Sequence, residues 1–199
     1  MKNEFSYSAA PEPAPIRIEQ VILEVPGGGL LKDAGYDVVE TTPIGRAADG
    51  KYQVIKNAKV VTKYTTGTSL EVAKGSGIAK SDFIAFGGMA VQVSAINTSN
   101  TDKDVLTIGA LTGKTIEVGQ FVYQAAKAAT GADAENMAAP IVKPIGVAGP
   151  GHYTAENGIV AFNGNGDTPI KVILVGTVRK ETCMFGEEIE DMLKGIHRV

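Results

Sequence analysis

The chain has 199 residues, of which 44% are hydrophobic, a formal net charge of -3 and a single cysteine. These values predict a soluble protein with a packed core, formed by one domain or by a domain with a small appendage. It should fold without an internal disulfide. The 19 lysines and arginines are dispersed, which disfavours nucleic-acid binding through a basic patch, and no apolar run reaches the roughly 20 residues of a membrane helix.

Glycine and proline are frequent, at 24 and 9 residues, and tryptophan is absent. A chain of short β-branched segments separated by such turn residues is typical of the all-β class. The first residues lack the apolar region of a secretory signal, so we expect an intracellular protein at the time of synthesis.

The first fifteen residues are polar and carry prolines at positions 11, 13 and 15. Proline does not continue a helix, and this spacing favours an extended, polyproline-like arm over residues 1–15. Two interpretations stay open: a disordered terminus, or an arm that becomes ordered on a partner surface. Under the second interpretation, the predicted partner-contact residues are Phe5, Tyr7, Ile16 and Ile18.

Residues 16–58 are predicted to form a β-rich N-terminal segment. Its first ten residues are ambiguous, because the apolar positions fit a helical face while the β-branched content favours a strand. We predict a strand over residues 16–25. Its apolar residues change parity, so a bulge near residues 19–20 is needed to keep one face buried. Further along, an Asp-Gly pair at 49–50 predicts a hairpin turn.

Residues 59–180 are predicted to be the main β-domain, an antiparallel sandwich or barrel of short strands. The run at 170–178 is continuously apolar and is predicted to be the most central strand. The alanine-rich stretch 125–139 is interrupted by glycine, which predicts a loop with at most one helical turn near residues 133–137. The predicted strands cover residues 59–64, 69–72, 82–86, 91–96, 104–108, 120–124, 144–148, 158–162 and 170–178.

Residues 181–199 are predicted to form a C-terminal helix and tail. Acids in the first turn of residues 186–194, and a stripe of Ile189, Met192 and Leu193, favour the one short helix of the chain. Cys183 is expected to be a small buried apolar residue.

Two turns imitate ligand-binding loops without meeting their requirements. Residues 109–115 have three residues between the glycines where a phosphate-binding loop has four, and strand-like residues follow where a helix is needed, so we predict a hairpin turn. Asn100, Asp102 and Asp104 alternate as calcium ligands do, but Val105 replaces the required glycine. We predict a turn whose side chains cap their own backbone. The same interpretation applies to Asn163, Asn165 and Asp167.

Catalytic signatures are weak throughout the sequence. The two histidines, His152 and His197, have no second ligand at metal-binding spacing, and no nucleophile elbow occurs. We therefore predict a protein that is not an enzyme and that needs no cofactor and no metal. An enzyme with a carboxylate site assembled in space remains a minor alternative.

Several turn and strand motifs together resemble the phage head fiber family, whose members are capsid-surface proteins of tailed bacteriophages and prophages. The resemblance follows the order of the chain. It rests on residues 43–45 with 49–52, 59–62, 68–75, 96–108 and 173–179.

This resemblance implies a non-enzymatic structural protein of a phage or prophage head, a head fiber or capsid decoration protein. It also implies a homotrimer, a capsid protein as partner, and a place on the virion after assembly in the bacterial cytoplasm. We expect anchoring through the N-terminal region, without nucleic-acid or membrane contacts. The alternative function is a small-ligand or glycan-binding β-module, because loops on such scaffolds often carry binding sites.

Overall fold

The computed structural model describes residues 17–150, 152–153, 160–162 and 166–199. Strands dominate this part of the chain, accompanied by one turn of 3-10 helix (Ala134–Asn136) and one short α-helix, α1 (Glu187–Glu190). The prediction of an all-β protein with a short C-terminal helix is confirmed. The strands are β1 (Ile18–Glu24), β2 (Gly29–Leu31), β3 (Val38–Val39), β4 (Pro43–Arg46), β5 (Tyr52–Val54), β6 (Asn57–Lys59), β7 (Ser69–Ala73), β8 (Phe83–Phe86), β9 (Met89–Asn97), β10 (Lys103–Ile108), β11 (Phe121–Ala125), β12 (Pro144–Ala148), β13 (His152–Tyr153), β14 (Val160–Phe162), β15 (Thr168–Ile170), β16 (Val172–Val178) and β17 (Ile196–Arg198).

Strands β6 to β11 form an antiparallel barrel in the order β6-β11-β8-β9-β10-β7. The two end strands meet just beyond β6, where Val60 bridges to Val72 and the Val61 amide donates to the Glu71 carbonyl at 3.1 Å. Alternate residues face inward, as Leu70 and Val72 do on β7, because side chains alternate along a strand. A contiguous stretch of chain thus encloses its own apolar core.

An eight-stranded sheet draws its strands from both ends of the chain, in the order β1-β16-β12-β4-β5-β2-β15, with β17 also beside β16. Most neighbours are antiparallel, but β2–β5 and β16–β17 pair in parallel. A smaller sheet has the order β13-β14-β3. The segment around Phe185 and Ile189 packs against residues of both the sheet and the barrel, in one core cluster with Val147, Ile173, Ala85 and Tyr123.

Local turn chemistry is as the sequence predicts. The Asp49–Gly50 pair lies in the β4–β5 hairpin, where Gly50 has a φ of 83° and the Lys51 amide donates to Asp49 Oδ1 at 3.1 Å. At the tip of the β9–β10 hairpin, Asn100 Oδ1 accepts the Asp102 amide at 2.8 Å. The prediction of a self-capped turn there is confirmed. Of the second such turn, Asn163 and Asn165 lie outside the described residues.

Three predictions about elements need correction. Residues 109–115 form a turn, with the Lys114 amide donating to the Leu111 carbonyl at 3.1 Å, but not a hairpin, because β10 and β11 are not neighbours in the barrel. The run 170–178 divides into β15 and β16, and β16 lies next to the edge strand rather than at the centre of its sheet. Of residues 59–64, only Lys59 belongs to a strand, while Val60 and Tyr64 make isolated bridges.

The C-terminal helix is shorter than residues 186–194. Regular helix covers only Glu187–Glu190, although Ile189 and Leu193 are buried on the predicted stripe. A helix this short gains little from its own hydrogen bonds, so packing of the apolar stripe holds it in place. Cys183 is buried, as predicted.

Candidate partner-binding surface

Strand β1 is the edge of the eight-stranded sheet and exposes three consecutive apolar side chains. Val21, Ile22 and Leu23 are 43%, 63% and 49% exposed. Neighbouring side chains on a strand point to opposite faces, so β1 presents apolar surface on both faces. We call Val21–Ile22–Leu23 the β1 apolar triplet. An edge strand of this kind is a ready template for contact with another chain.

The backbone of β1 is fixed at both ends. At its N-terminal end the Arg179 amide donates to the Arg17 carbonyl at 2.9 Å, and past its C-terminal end the Val25 amide donates to the Val172 carbonyl at 2.9 Å. A salt bridge joins Glu19 to Arg179. The β1 apolar triplet is therefore exposed while its strand is held in the sheet.

The register of β1 against β16 is irregular. Ile18 lies opposite Val178 and Gln20 opposite Thr177, so Glu19 is an extra residue and the bulge predicted near residues 19–20 is confirmed. A second irregularity falls at Ile22. Bulges twist an edge strand away from regular pairing. The side chains of β1, more than its hydrogen-bonding edge, are thus available for contact.

Of the predicted partner-contact residues, only Ile18 lies in the described part of the chain. It is half-buried and packs against the core cluster that contains Val178. Phe5, Tyr7 and Ile16 lie outside the described residues. The sequence does not predict the β1 apolar triplet as a surface, because its apolar pattern fits a strand with one buried face equally well.

A cavity of about 240 Å³ lies beside the point where the described chain begins. It is bounded by β6, by the end of β7 and by the segment that precedes α1. Its lining combines apolar and charged residues: Arg17, Asn57, Ala58, Lys59, Ala73, Lys74, Ser76, Phe121, Glu181, Thr182, Cys183 and Met184. We call it the junction cavity.

Arg17 lies at the junction cavity and connects the start of β1 to the C-terminal segment. Its Nη1 donates to the Thr182 carbonyl and lies 3.4 Å from Met184 Sδ. Burial lowers the pKa of Arg17, while the nearby carboxylate of Glu40 raises it. Burial in turn raises the pKa of Glu40, against the opposing effect of Arg17. Arginine nevertheless stays protonated in proteins, so a fixed positive charge lies at this site.

Asn57 is the one residue of the described chain with a buried side-chain polar atom that has no hydrogen-bond partner. The residue is 5% exposed, and its Nδ2 donates to the Ile55 carbonyl at 2.7 Å, which leaves Oδ1 unpaired. Asn57 and Ser76 line both the junction cavity and a void of about 10 Å³ beside it. A buried acceptor without a donor costs roughly 1–3 kcal/mol.

The backbone at Thr41 is strained and fixes one wall of this region. Its φ of 67° is left-handed, which is unusual for a β-branched residue. The Thr41 amide donates to the Ala148 carbonyl at 2.9 Å, and its Oγ1 accepts the Met184 amide at 3.0 Å. The surrounding structure thus holds this conformation and positions Met184 at the cavity.

Three observations on the described residues concern metal binding, thiol reactivity and membrane spans. They contain no group of three or more His, Cys, Asp or Glu side chains placed to hold a metal ion. Burial raises the pKa of the Cys183 thiol, which disfavours the reactive thiolate. Within the same described ranges, no helix has the length and apolar character needed to cross a membrane.

Comparison with known proteins gives no relative for this chain. No family model matches it, and neither a curated protein nor a solved structure matches it.

Proposed function

We propose that this chain is a non-enzymatic structural protein of a phage or prophage head, displayed on the capsid surface as a head fiber or decoration protein. The observation that carries the proposal is the β1 apolar triplet, which lies directly after the N-terminal segment. The exposed triplet and the Pro-spaced segment before it together offer a continuous attachment region. The sequence resemblance to head fiber proteins supports a capsid protein as the binding partner of this attachment region.

The rest of the molecule supports a scaffold role. Its barrel encloses an apolar core, and its turns are stabilised by their own side chains, as at Asn97 and Asn100. A displayed protein needs such a stable body and outward loops, and it needs no reactive groups. Self-association into a closed trimer, which the resemblance implies, would also cover the exposed edge of the sheet.

Particle analysis tests the proposal directly. Particles released after prophage induction in the strain that encodes the chain should contain the protein in a fixed ratio to the major capsid protein, measured by quantitative mass spectrometry. Light scattering of the purified chain should give the mass of a trimer. Absence from purified particles would overturn the capsid role, and a monomer at all concentrations would overturn the trimer.

A matched pair of variants tests the anchoring region. Deletion of residues 1–15, or Ile22→Lys in the β1 apolar triplet, should reduce incorporation into particles while circular dichroism stays unchanged. Val118→Lys is the control, because Val118 is also 63% exposed but lies in the turn before β11 rather than on β1. Equal incorporation of all these variants would exclude anchoring through the N-terminal region.

A second candidate, a small-ligand-binding module, is favoured by a polar cavity of about 170 Å³ lined by Lys32, Gln53, Lys56 and Gln124, among others. Lys56 and Gln124 also contact Asp82, at 3.0 Å and 3.1 Å, so polar groups converge there. A thermal-shift screen of sugars and nucleotides tests this function. Stabilisation that disappears in Gln53→Leu would support it, and a screen without shifts would exclude those ligand classes.

A further inference from the structure

The junction cavity contains an arginine that has no carboxylate partner in the described chain. Arg17 lines the cavity, and its Nη1 contacts Thr182 and Met184, which line it as well, so the guanidinium lies at the cavity wall. Within the described residues, Arg17 forms no salt bridge. Burial of a charge costs free energy unless the charge is paired. The cavity therefore offers a half-buried positive charge to an anion.

The unpaired side of this guanidinium is accessible to solvent. Both side-chain contacts of Arg17 with the described residues are made by Nη1, which leaves Nε and Nη2 without a hydrogen bond there. Asn57 Oδ1 is the one fully buried side-chain polar atom of the described chain without a partner, so Nε and Nη2 are not fully buried. These two nitrogens form one edge of the planar guanidinium. Their parallel N–H groups match the two oxygens of a carboxylate.

The other charges around the cavity leave this site positive. Lys74 is neutralised, because its Nζ lies 2.8 Å from a carboxylate oxygen of β10. Lys59 and Glu181 form no salt bridge within the described residues, and their formal charges cancel. Burial lowers the pKa of Arg17, and the nearby carboxylate of Glu40 opposes that shift only in part. Since arginine stays protonated in proteins, one positive charge remains for a ligand.

The apolar part of the lining limits the size and character of that ligand. Ala73, Phe121 and Met184 contribute apolar side chains to a cavity of about 240 Å³. Pockets for drug-sized ligands measure roughly 300–1,000 Å³, so the occupant of this cavity is smaller. An inorganic anion would leave the apolar side chains in contact with water, whereas a carboxylate on a compact ring would cover them.

We propose that the junction cavity binds a small organic monocarboxylate, with its carboxylate on the Nε–Nη2 edge of Arg17 and its apolar body against Phe121 and Met184. The site is separate from the polar cavity lined by Lys32 and Gln53. It requires neither the capsid role nor the trimer and so goes beyond the proposed function. A bound molecule joins the start of β1 to the segment before α1, because Arg17 and Met184 belong to these two places.

Benzoate and its neutral analogue benzamide test the recognition of the carboxylate on the unsubstituted, full-length chain. In NMR spectra of methyl-labelled methionine, benzoate should shift the Met184 signal saturably, and benzamide at the same concentration should not. Met137 is the internal control, since it is 53% exposed and does not line the cavity. Equal shifts from the two compounds would overturn carboxylate recognition. No shift with millimolar benzoate would overturn the site.

Two variants with matched controls test the wall of the cavity. Arg17→Gln should weaken benzoate binding about ten- to 150-fold, the effect of a hydrogen bond to a charged group of roughly 1.5–3 kcal/mol. Arg179→Gln also removes a side-chain contact of β1, but this arginine does not line the cavity, so the affinity should stay unchanged. Ala73→Phe fills the apolar part and should abolish binding, whereas Ala95→Phe adds the same volume at an exposed position of β9.

Circular dichroism establishes that each variant is folded. Unchanged affinity in folded Arg17→Gln or Ala73→Phe would place benzoate elsewhere and overturn the site.

Inorganic phosphate distinguishes a ligand with an apolar body from a bare anion. Phosphate should bind more weakly than benzoate, and equal affinity would overturn the assignment to an organic carboxylate. The outcomes also separate this inference from the proposed function. A chain that binds benzoate but is absent from particles keeps the site and loses the capsid role, and a chain that enters particles without binding benzoate does the reverse.

Discussion

The barrel and the eight-stranded sheet differ in whether their edge strands are paired. The barrel is built from one contiguous stretch, Asn57–Ala125, and its end strands meet at the Val60–Val72 bridge. The sheet joins strands from both ends of the chain and finishes at β1, whose apolar triplet stays exposed. The barrel thus closes on itself, whereas the sheet ends in an edge strand with exposed apolar side chains. From this difference we expect truncations in the barrel core to cost more stability than truncations at β1.

Truncating one leucine in each region should separate them most strongly. Leu106→Ala removes a side chain that is 1% exposed in the barrel core and should cost about 2–5 kcal/mol of unfolding free energy. Leu23→Ala in the β1 apolar triplet should change it by no more than about 0.5 kcal/mol. Urea denaturation measures both. Similar losses would show that β1 contributes to stability as the barrel core does.

Gly176→Ala should break β1 away from the sheet without affecting the barrel. A Cβ at Gly176 would lie 2.3 Å from the Gln20 carbonyl oxygen, so the backbones must move apart. We expect a loss of about 1–3 kcal/mol, the usual cost of overpacking. Hydrogen exchange should show faster exchange in β1 and unchanged protection in β8 and β9. Uniformly faster exchange would mean that sheet and barrel unfold as one unit.

Two ion pairs, Glu190–Arg198 and Glu19–Arg179, should differ in their contribution to the free energy of unfolding. Glu190 accepts hydrogen bonds from the Arg198 amide at 2.8 Å and from Arg198 Nε at 2.6 Å, and the Arg198 side chain is buried. Glu190→Gln should therefore cost about 1–2 kcal/mol. Glu19→Gln breaks the more exposed pair with Arg179 and should cost less than about 1 kcal/mol. Chemical denaturation at neutral pH gives both values, and equal losses would contradict the distinction.

Stability in mild acid should depend on Glu190 and Glu40 with opposite signs. Burial would raise the pKa of Glu190, but hydrogen bonds from Arg198 outweigh it and hold that pKa below 4.5. Its contribution is present above pH 4.5 and is lost as the pH falls through the lowered pKa. Burial raises the pKa of Glu40, so its contribution is present below pH 4.5 and is lost as the pH rises through the raised pKa.

Denaturation midpoints of Glu190→Gln and Glu40→Gln across this pH range check the assignment. In Glu190→Gln, stability should fall less steeply on acidification than it does in the unsubstituted protein. In Glu40→Gln, stability should fall less steeply as the pH rises above 4.5. Profiles that match the unsubstituted protein would show that neither carboxyl is coupled to folding.

The smallest effects should come from two barrel turns. Ser81 has a φ of 76°, which is unfavourable for a residue with a Cβ, so Ser81→Gly should stabilise the protein by about 0.5–1 kcal/mol. Gly113 has a φ of 72° and open space around its Cα, so Gly113→Ala should destabilise it by a similar amount. Thermal unfolding resolves shifts of this size. Two changes of the same sign would exclude backbone strain as the cause.

The elements that could be predicted from the sequence are those with local causes. The β4–β5 hairpin follows from Asp49–Gly50, and the β9–β10 tip follows from Asn100, whose side chain caps the backbone beside it. The alternation of inward residues in β7 and β10 also lies within a few positions of the chain. Such signals need no knowledge of distant neighbours.

Barrel closure, sheet order and the exposure of the β1 apolar triplet have distant causes. The bridge from Val60 to Val72 and the division of residues 170–178 into two strands depend on which segments meet in space. The same holds for the exposure of Ile22, since the apolar pattern fits a buried face equally well. The unpaired oxygen of Asn57 gives no signal in sequence, because asparagines in turns and in cores look alike there.

The pairing of β1 with β16 has a consequence for biosynthesis. Residues 25–171 separate the two strands, so β1 leaves the ribosome roughly 7–30 s before its neighbour, at about 5–20 residues per second. The barrel can assemble during that interval from residues already made. During that interval the nascent chain carries the apolar strand β1, unpaired, beside a folded barrel. The acids at 19 and 24 flank the triplet with negative charge, which disfavours premature association.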